Sequence, residues 1–313
     1  MENKNKLLII DSNALLHRAF HALPPLKTKS GLNTGAIYGF LLILFRAIKD
    51  LNPKYMVACF DLPQPTFRHE KYKEYKATRA KTPDEIKEQL PEMKEVLRAF
   101  NIPVFEKPGF EADDLIATIS TRAGKDKKIE VYVISGDLDI LQLVSKNIKA
   151  YTMGRGIKEM IIYDKEKVKE RFGITPEQMV DYKALVGDTS DNIPGVPGIG
   201  KKTAAELLNK FENLDIIYKE AEKGNEGIKP RIKELLLENK DQAFLARYLV
   251  EVKRDVDIDF DIKKSLFGKY DRKNIEELFN KFEFFTLLNR LPGAGQRIED
   301  KKPEPQKTIQ KLL

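Results

Sequence analysis

IEVYVISGDLD, residues 129–139, combines a short run of mostly apolar residues with a pair of aspartates. A run of this length that ends at a glycine is typical of a strand buried on both faces of a sheet. Two earlier stretches repeat the arrangement: LLII at 7–10 precedes Asp11, and YMVACF at 55–60 precedes Asp61. In parallel sheets, ligands bind at the carboxyl ends of the strands. The pattern therefore predicts one sheet edge that carries several aspartates.

Helical patterns separate these strands. Helices are predicted over 33–51, 82–100 and 111–123, a short strand over 102–105, and a hairpin over 148–153 and 159–163 around Gly154 and Gly156. Strands that alternate with helices indicate an α/β fold with a mostly parallel central sheet flanked by helices.

The pattern becomes helical after about residue 165. Helices are predicted over 175–186, 201–210, 228–239, 241–250 and 273–289. We therefore expect three parts: a core over 1–172, a helical region over 173–290, and a flexible tail over 291–313, which is rich in Pro, Gly, Lys and Gln.

The composition excludes several classes of protein. No apolar run in the 313 residues reaches the roughly 18–20 residues that a membrane helix needs. The N-terminus lacks the apolar core of a signal peptide, so a soluble, cytoplasmic protein without membrane contact is expected. One cysteine, Cys59, permits no internal disulfide, and with only three histidines the chain is a poor source of zinc ligands. Any metal should be a hard cation on oxygen ligands, and the net charge of +7 is compatible with a polyanionic partner.

Acidic residues cluster beyond the strand ends, in FEADD, SGDLD and GDTSDN. The candidate ligands number nine: Asp11, Asp61, Glu111, Asp113, Asp114, Asp137, Asp139, Asp188 and Asp191. Any one of them could simply cap a helix or favour its dipole. As a set gathered at one edge they would repel one another, and cations between them would offset that repulsion. Two magnesium ions held by carboxylates are a recurring arrangement for phosphoryl chemistry with a metal-bound water as nucleophile.

A basic stretch, RHEKYKEYKATRAK, follows Asp61 at residues 68–81. Its lysines and arginines suit phosphates, and its interleaved tyrosines suit stacked bases. The alternative is a solvated helix face. Its position just after a strand-end aspartate favours a segment that overhangs the acidic edge.

A glycine-rich turn, NIPGVPGIGKKTAA, occupies residues 192–205. The helix that starts near Lys201 would present free backbone N–H groups to a phosphate, and Lys202 adds charge. The alternative is a plain structural loop. PGIGKKTA between two helices resembles the helix-hairpin-helix motif, which binds the DNA backbone.

Taken together, these motifs resemble the bacterial 5′ nucleases: the 5′–3′ exonuclease domain of DNA polymerase I and its stand-alone relatives, kin to flap endonucleases. The resemblance covers about residues 7–205, through IIDSNALLHRAFHAL, AIYGF, FDLPQPTFRHEKYKEYKATR, FEADDLIATI, ISGDLDILQLV and YKALVGDTSDNIPGVPGIGKKTA. It implies a PIN-like nuclease core with a helical arch at about 66–90, and a DNA-binding region with a helix-hairpin-helix at about 185–210.

The resemblance also implies roles for individual residues. All nine carboxylates match the family's metal ligands, and Lys76 and Arg79 match the arch. The implied catalytic residues are Lys76, Arg79 and the carboxylates Asp11, Asp61, Glu111, Asp113, Asp114, Asp137 and Asp139. The implied DNA contacts are Arg18, Tyr75, Lys76, Arg79, Gly198, Gly200, Lys201 and Lys202. The implied cofactors are two or more Mg²⁺, with Mn²⁺ as a substitute, and K⁺ at the hairpin. The implied substrate is 5′-ended or branched duplex DNA with a single-stranded flap, including RNA–DNA primer junctions; a DNA polymerase is the implied partner of a monomeric enzyme.

Two alternatives remain open at this point: a PIN-type ribonuclease, and a non-catalytic helix-hairpin-helix DNA-binding protein. A further hypothesis concerns QKTIQKLL, residues 306–313, whose spacing is similar to that of peptides that dock onto sliding clamps.

Overall fold

A six-stranded sheet forms the centre of the molecule in the computed structural model, which describes residues 4–154 and 159–292. Its strands are β1 (Asn5–Asp11), β2 (Tyr55–Cys59), β3 (Val104–Phe105), β4 (Ile129–Ser135), β5 (Ile148–Met153) and β6 (Met160–Tyr163). Their order is β3-β2-β1-β4-β5-β6, and only the β5–β6 pair is antiparallel. The predicted mostly parallel sheet and the predicted hairpin are confirmed; Gly156 lies outside the described residues.

The strand β1 lies at the centre of this sheet because both of its faces are apolar. Leu7 and Ile9 point into one hydrophobic core, and Leu8 and Ile10 into a second core on the opposite face. The sheet order reverses between β1 and β4, and such a switch point opens a crevice at the carboxyl ends of the strands. The edge predicted to carry the aspartates is therefore also where a ligand crevice forms.

Helices cover both faces of the sheet. They are α1 (Ser12–Ala22), α2 (Gly35–Leu51), α3 (Phe67–Lys71), α4 (Asp84–Ala99), α5 (Ala112–Gly124), α6 (Lys165–Phe172), α7 (Met179–Val186), α8 (Lys201–Phe211), α9 (Leu214–Glu222), α10 (Pro230–Glu238), α11 (Lys240–Val250), α12 (Arg272–Lys281) and α13 (Phe285–Leu288). The core that contains Leu8 also takes residues from α1, α2, α4, α12 and α13, whereas α5 to α11 contribute to the other core. None of the helices in the described ranges has the length and hydropathy needed to span a bilayer.

Most predicted helices are present with ends shifted by a few residues, but two predictions need correction. The expected helical arch at about 66–90 is not helical throughout: α3 ends at Lys71, residues 73–78 form turns, and α4 begins only at Asp84. Lys76 has a positive φ of 57°, which ends regular helix at that point. We call residues 72–83 the arch turn.

The second correction concerns the chain after residue 271. The predicted helix 273–289 is broken between α12 and α13, where Glu283 has a φ of 59°. Phe279, Phe282 and Phe284 of this segment are buried against α2 and α4. Of the expected tail, Leu291 is buried, and everything after Pro292 lies outside the described residues.

The predicted helix-hairpin-helix consists of α7, a two-stranded ribbon and α8. The ribbon pairs β7 (Gly187–Asp188) with β8 (Ile193–Pro194). Gly198 has a φ of 84°, and a Cβ there would lie 2.8 Å from Leu235. The backbones of Gly187 and Gly195 approach so closely that a Cβ on Gly195 would lie 2.3 Å from the Gly187 nitrogen. Glycine is therefore required where the ribbon leaves α7.

Gly195→Ala should destabilise the protein by about 1–3 kcal/mol or more, because the added methyl group meets backbone atoms that cannot turn aside. Gly200→Ala is the matched control, since a Cβ at Gly200 meets no atom within 4 Å. Urea unfolding of both variants measures the difference. Equal stability of the two variants would contradict the close approach.

Candidate metal and nucleic-acid site

The site begins where β1 and β2 end. Asp11 caps α1, accepts a hydrogen bond from the Ala14 nitrogen at 3.2 Å, and accepts a second from the Ser135 hydroxyl. Asp61 accepts from the Ala112 nitrogen at 2.8 Å, which ties the end of β2 to the start of α5. Each side chain is thus oriented by the backbone of a neighbouring element.

The loop after β4 and the first turn of α5 add further carboxylates. The Asp137 nitrogen donates to the Ser135 hydroxyl at 2.9 Å, and the Asp139 nitrogen donates to Asp137 Oδ1 at 3.0 Å. Asp113 lies in the first turn of α5. The carboxylates of Asp11, Asp61, Asp113 and Asp137 line a common cleft of about 1020 Å³.

These four carboxylates, which we call the open cluster, have no cation within 4.0 Å among the residues that the structure describes. Burial, together with Asp61 and Asp137, raises the pKa of Asp11 to about 7, although Ser135 donates to it. Burial and the charges of Asp11, Asp137 and Asp61 also raise the pKa of Asp113 well above its usual value. The open cluster therefore lacks a compensating protein cation, and the crowding of its carboxyl groups disfavours their ionised forms.

The remaining predicted carboxylates already have protein cations. Burial alone would raise the pKa of Glu111, but Lys76 Nζ lies 2.8 Å from Glu111 Oε1 and, with Arg68, holds that pKa below its usual value. Arg79 pairs with Asp191. The arch turn therefore reaches down onto the acidic site through two basic side chains.

Lys183 is a site residue that the sequence reasoning missed. Its ammonium group pairs with Asp139 and lies 2.7 Å from Asp188 Oδ2. Burial opposes ionisation of Asp188, but Lys183 and Ser190 lower its pKa to about 2. The available signal was position: Lys183 stands in the last turn of α7, five residues before Asp188.

The geometry speaks against the expected role of Asp114 as a metal ligand. Arg68 donates to both of its oxygens at 2.8 Å, and the backbone nitrogens of Glu111 and Lys253 donate to them as well. Asp114 is fully buried and does not line the cleft. It closes a structural network with Arg68, itself 2% exposed, which the sequence had indicated as part of a DNA-binding stretch.

Tyr75 is also placed differently from the expectation. Its ring is buried, and its hydroxyl donates to Glu111 at 3.0 Å and to Asp191 at 3.2 Å, so it cannot stack on a base in this conformation.

Arg18 lines the cleft and donates to the Gly154 carbonyl at 3.0 Å. Lys201 and Lys202 are exposed in the first turn of α8, after Gly198 and Gly200.

In the part of the chain that the structure describes, no three acidic, histidine or cysteine side chains converge closely enough to hold a metal ion as they stand. Four of the predicted ligands are engaged in ion pairs instead: Lys76, Arg79 and Lys183 hold Glu111, Asp191, Asp139 and Asp188. Magnesium usually takes only one or two protein carboxylates and keeps several waters, so a preformed trio is not required. The donors are all oxygens, which fits a hard cation.

Two family descriptions together match almost the whole described chain. Residues 6–173 match the 5′–3′ exonuclease N-terminal resolvase-like domain, and residues 174–273 match the 5′–3′ exonuclease C-terminal SAM fold. The chain belongs to the 5′–3′ exonuclease family. The predicted family and the 5′ nuclease assignment are confirmed.

Relatives of known name support the same assignment. DNA polymerase I of Bacillus subtilis is 41% identical over 291 residues, which are 93% of this chain and 33% of that protein. DNA polymerase I of Mycobacterium tuberculosis is 39% identical over 290 residues, 92% of this chain and 32% of that protein. The chain thus spans about a third of the length of these relatives.

Solved structures share the fold. The T5 5′-exonuclease with bound divalent zinc ions has a TM-score of 0.63 at 25% identity, over 79% of this chain and 89% of that one. The bacteriophage T5 flap endonuclease in a complex with DNA and metal ions has a TM-score of 0.66 at 20% identity, over 89% and 100%. The catalytic core of Rad2 with DNA substrate has a TM-score of 0.60 at 20% identity, over 89% and 87%.

Asp113→Asn should stabilise the metal-free protein at about pH 8. A carboxyl whose folded pKa exceeds its unfolded value of about 4 adds stability while protonated, and that stability is lost as the pH rises towards the folded pKa. Asparagine keeps the shape without the charge, so the unfolding midpoint in EDTA should rise by at least about 2 °C at high pH.

The gain from Asp113→Asn should shrink at about pH 4, where the wild-type carboxyl is protonated in the folded protein. Asp255→Asn, at an exposed carboxylate, is the control and should shift the midpoint at neither pH. Scanning calorimetry reports both midpoints. A lower midpoint for Asp113→Asn at pH 8 would mean that the charge crowding carries no folding cost.

Proposed function

We propose that this chain hydrolyses phosphodiester bonds at the 5′ ends of DNA with divalent cations, by a two-metal mechanism that leaves a 5′-phosphate. The observation that carries the proposal is the open cluster: four carboxylates without a cation partner in one cleft beneath the arch turn. Oxygen donors on strand ends suit magnesium, with manganese as a substitute. When bound, such ions supply an activated water and stabilise charge on the phosphate oxygens.

The protein's own groups would orient the substrate. Lys76 and Arg79 line the cleft and carry positive charge above the open cluster, so a phosphate that enters competes with Glu111 and Asp191 for them. Release of these carboxylates would make them available as ligands. If Lys183 likewise turned to a phosphate, Asp139 and Asp188 would be released as ligands as well. Arg18, which also lines the cleft, would be a further contact for the entering strand.

The helix-hairpin-helix would hold the duplex beside the cleft. Its backbone N–H groups at the start of α8 and the exposed Lys201 and Lys202 suit the phosphates of one strand. Because Gly198 has no side chain, the backbone of this turn could approach the DNA closely. The carbonyl groups of such a turn suit a potassium ion. In this assignment 1–172 is the nuclease core, 173–290 binds duplex DNA, and 291–313 is a tail.

Substrate and partners follow from the same assignment. A duplex held at the hairpin with one strand led into the cleft is a 5′ flap or a primer junction, including an RNA–DNA one. Since the relatives are DNA polymerases three times as long, a polymerase is the functional partner that we propose for a monomeric, cytoplasmic enzyme. Clamp docking by 306–313 remains a hypothesis on residues outside the described part; a labelled peptide of 301–313 titrated with the host's clamp tests it.

Cleavage of a labelled 5′ flap tests the function as a whole. The wild-type protein should release the flap in magnesium or manganese and not in excess EDTA. Equal cleavage of a single-stranded RNA would favour the PIN-type ribonuclease, and binding without cleavage would favour a DNA-binding module. Turnover in EDTA would refute the metal mechanism.

Asp137→Asn should reduce flap cleavage by at least about 10²-fold, because metal ions contribute several kcal/mol of charge stabilisation and 1.36 kcal/mol corresponds to a factor of ten. Flap binding should stay close to wild type, since the basic surface is intact. Single-turnover kinetics and fluorescence anisotropy separate the two effects. Asp255→Asn is the control, and cleavage at the wild-type rate by Asp137→Asn would remove this carboxylate from the site.

Lys201→Ala with Lys202→Ala should weaken duplex binding about equally for all sequences. Each lost phosphate contact should reduce the slope of log affinity against log salt by about 0.9, so the pair should reduce it by roughly one to two. Anisotropy titrations over a range of salt measure the slope. A change in sequence preference would indicate base readout instead.

A further inference from the structure

A group of aromatic rings and lysines lies beside the cleft, next to the acidic site. We call Phe67, Lys71, Phe110, Tyr248 and Lys253 the aromatic–lysine patch. Phe67 and Lys71 are one turn apart on α3, Phe110 precedes the acidic start of α5, and Tyr248 and Lys253 come from α11 and the segment after it. Three separate stretches of the chain thus meet here.

The rings form a continuous path that starts in the cleft. Phe110 lines the cleft and stands next to Glu111. The ring centres of Phe110 and Phe67 are 6.0 Å apart, and those of Phe67 and Tyr248 are also 6.0 Å apart, edge to face. Tyr248 is 37% exposed, so the path ends on an open aromatic surface.

The lysines of the patch lie over these rings. Lys253 Nζ is 5.3 Å from the Phe67 ring centre and 5.2 Å from that of Tyr248, and Lys71 Nζ is 5.9 Å from Tyr248. Within the described ranges, neither ammonium group has a carboxylate within 4.0 Å, whereas Lys76 and Lys183 in the site do. The two charges are therefore available to an anionic ligand.

The patch is held in place by the buried network beneath it. The Arg68 guanidinium lies 4.5 Å from the Phe67 ring centre and donates to the Leu249 and Glu251 carbonyls on either side of the end of α11. The same guanidinium fixes Asp114 at the start of α5. All parts of the patch are thus positioned before a ligand arrives.

We propose that the aromatic–lysine patch binds the unpaired 5′ strand of the substrate where it leaves the cleft. Exposed rings bind unpaired bases by stacking, and nearby cations bind the phosphates between them. Bases in a duplex are already stacked and gain nothing from such rings. A protein partner fits less well, since lysine is depleted in protein–protein interfaces. This inference rests on the proposed function, because it assumes that a single strand enters the cleft.

Fluorescence gives a direct test, since the chain contains no tryptophan. The full-length Tyr248→Trp variant would carry one indole, in the patch. In excess EDTA, a duplex with a 5′ flap of about ten thymidines, within the range that single-strand-binding grooves cover, should quench it. The same duplex with a blunt end should not. No quenching by the flap, or equal quenching by both DNAs, would overturn the proposal.

Affinity measurements on substituted proteins complete the test. Tyr248→Ala with Lys253→Ala should weaken flap binding about tenfold or more, because stacking on an aromatic side chain contributes about 1–3 kcal/mol per base. Binding of the blunt duplex should stay within about twofold, and the salt slope for the flap should fall by about 0.7. Tyr248→Phe keeps the ring and should bind like wild type. Lys273→Ala, an exposed lysine on α12, controls for general loss of charge.

The outcomes separate this inference from the proposed function. Quenching by the flap without any cleavage in magnesium would refute the nuclease mechanism and support the patch. Normal cleavage together with equal losses of flap and duplex affinity in the double variant would refute the patch alone. If the double variant fails to fold by circular dichroism, the Tyr248→Trp and Tyr248→Phe variants still decide the question.

Discussion

Repulsion among carboxylates in one crevice is the constraint on which the rest of this structure depends. The parallel strands β1, β2 and β4 end side by side, and each delivers an aspartate to the same edge. Asp113, from the first turn of α5, adds a fourth. None of the four has a cation partner among the described residues, and desolvation together with like charges disfavours the ionised forms of Asp11 and Asp113. Lys76, Arg79 and Lys183 neutralise the acidic residues around them. The protein thus compensates the periphery of the site with its own cations and leaves the central carboxyl groups without one, which is where the function that we propose places the metal ions.

Basic side chains in the site have two roles that a sequence pattern cannot separate. Lys76 and Arg79 pair with carboxylates in this structure, and in the function that we propose they turn to a phosphate of the substrate. The exchange replaces one ion pair by another. Its free-energy cost is therefore small compared with the cost of leaving a buried lysine without a partner. Under that proposal, this is a physical reason for the arch turn to rest directly on the acidic residues.

Much of the fold could be predicted because local patterns decide it. The strands of the sheet follow from short apolar runs, and the acidic edge follows from the aspartates after them.

What could not be predicted depends on contacts between distant residues. Asp114 looks like a further metal ligand in FEADD, but Arg68, 46 residues earlier, takes both of its oxygens. Tyr75 looks like a stacking residue, and only the approach of Asp191 to Glu111 shows that its hydroxyl is buried between them. Lys183 carries no acidic or glycine-rich signal of its own; its place five residues before Asp188 is a weak hint, and its distance to Asp188 establishes it.

The Arg68 network has a consequence for how the chain folds during synthesis. Arg68, in α3 just before the arch turn, pairs with Asp114 and also donates to the Leu249 carbonyl, 181 residues further along the chain. A loop of that size closes late, because its entropy is lost before the contact is gained. The sheet can therefore form while the foot of the arch turn still lacks its last partners. A nascent chain that stops short of α11 would hold the acidic residues of the crevice without the support that sets their final geometry, which delays a complete nuclease site until the helical region has been made.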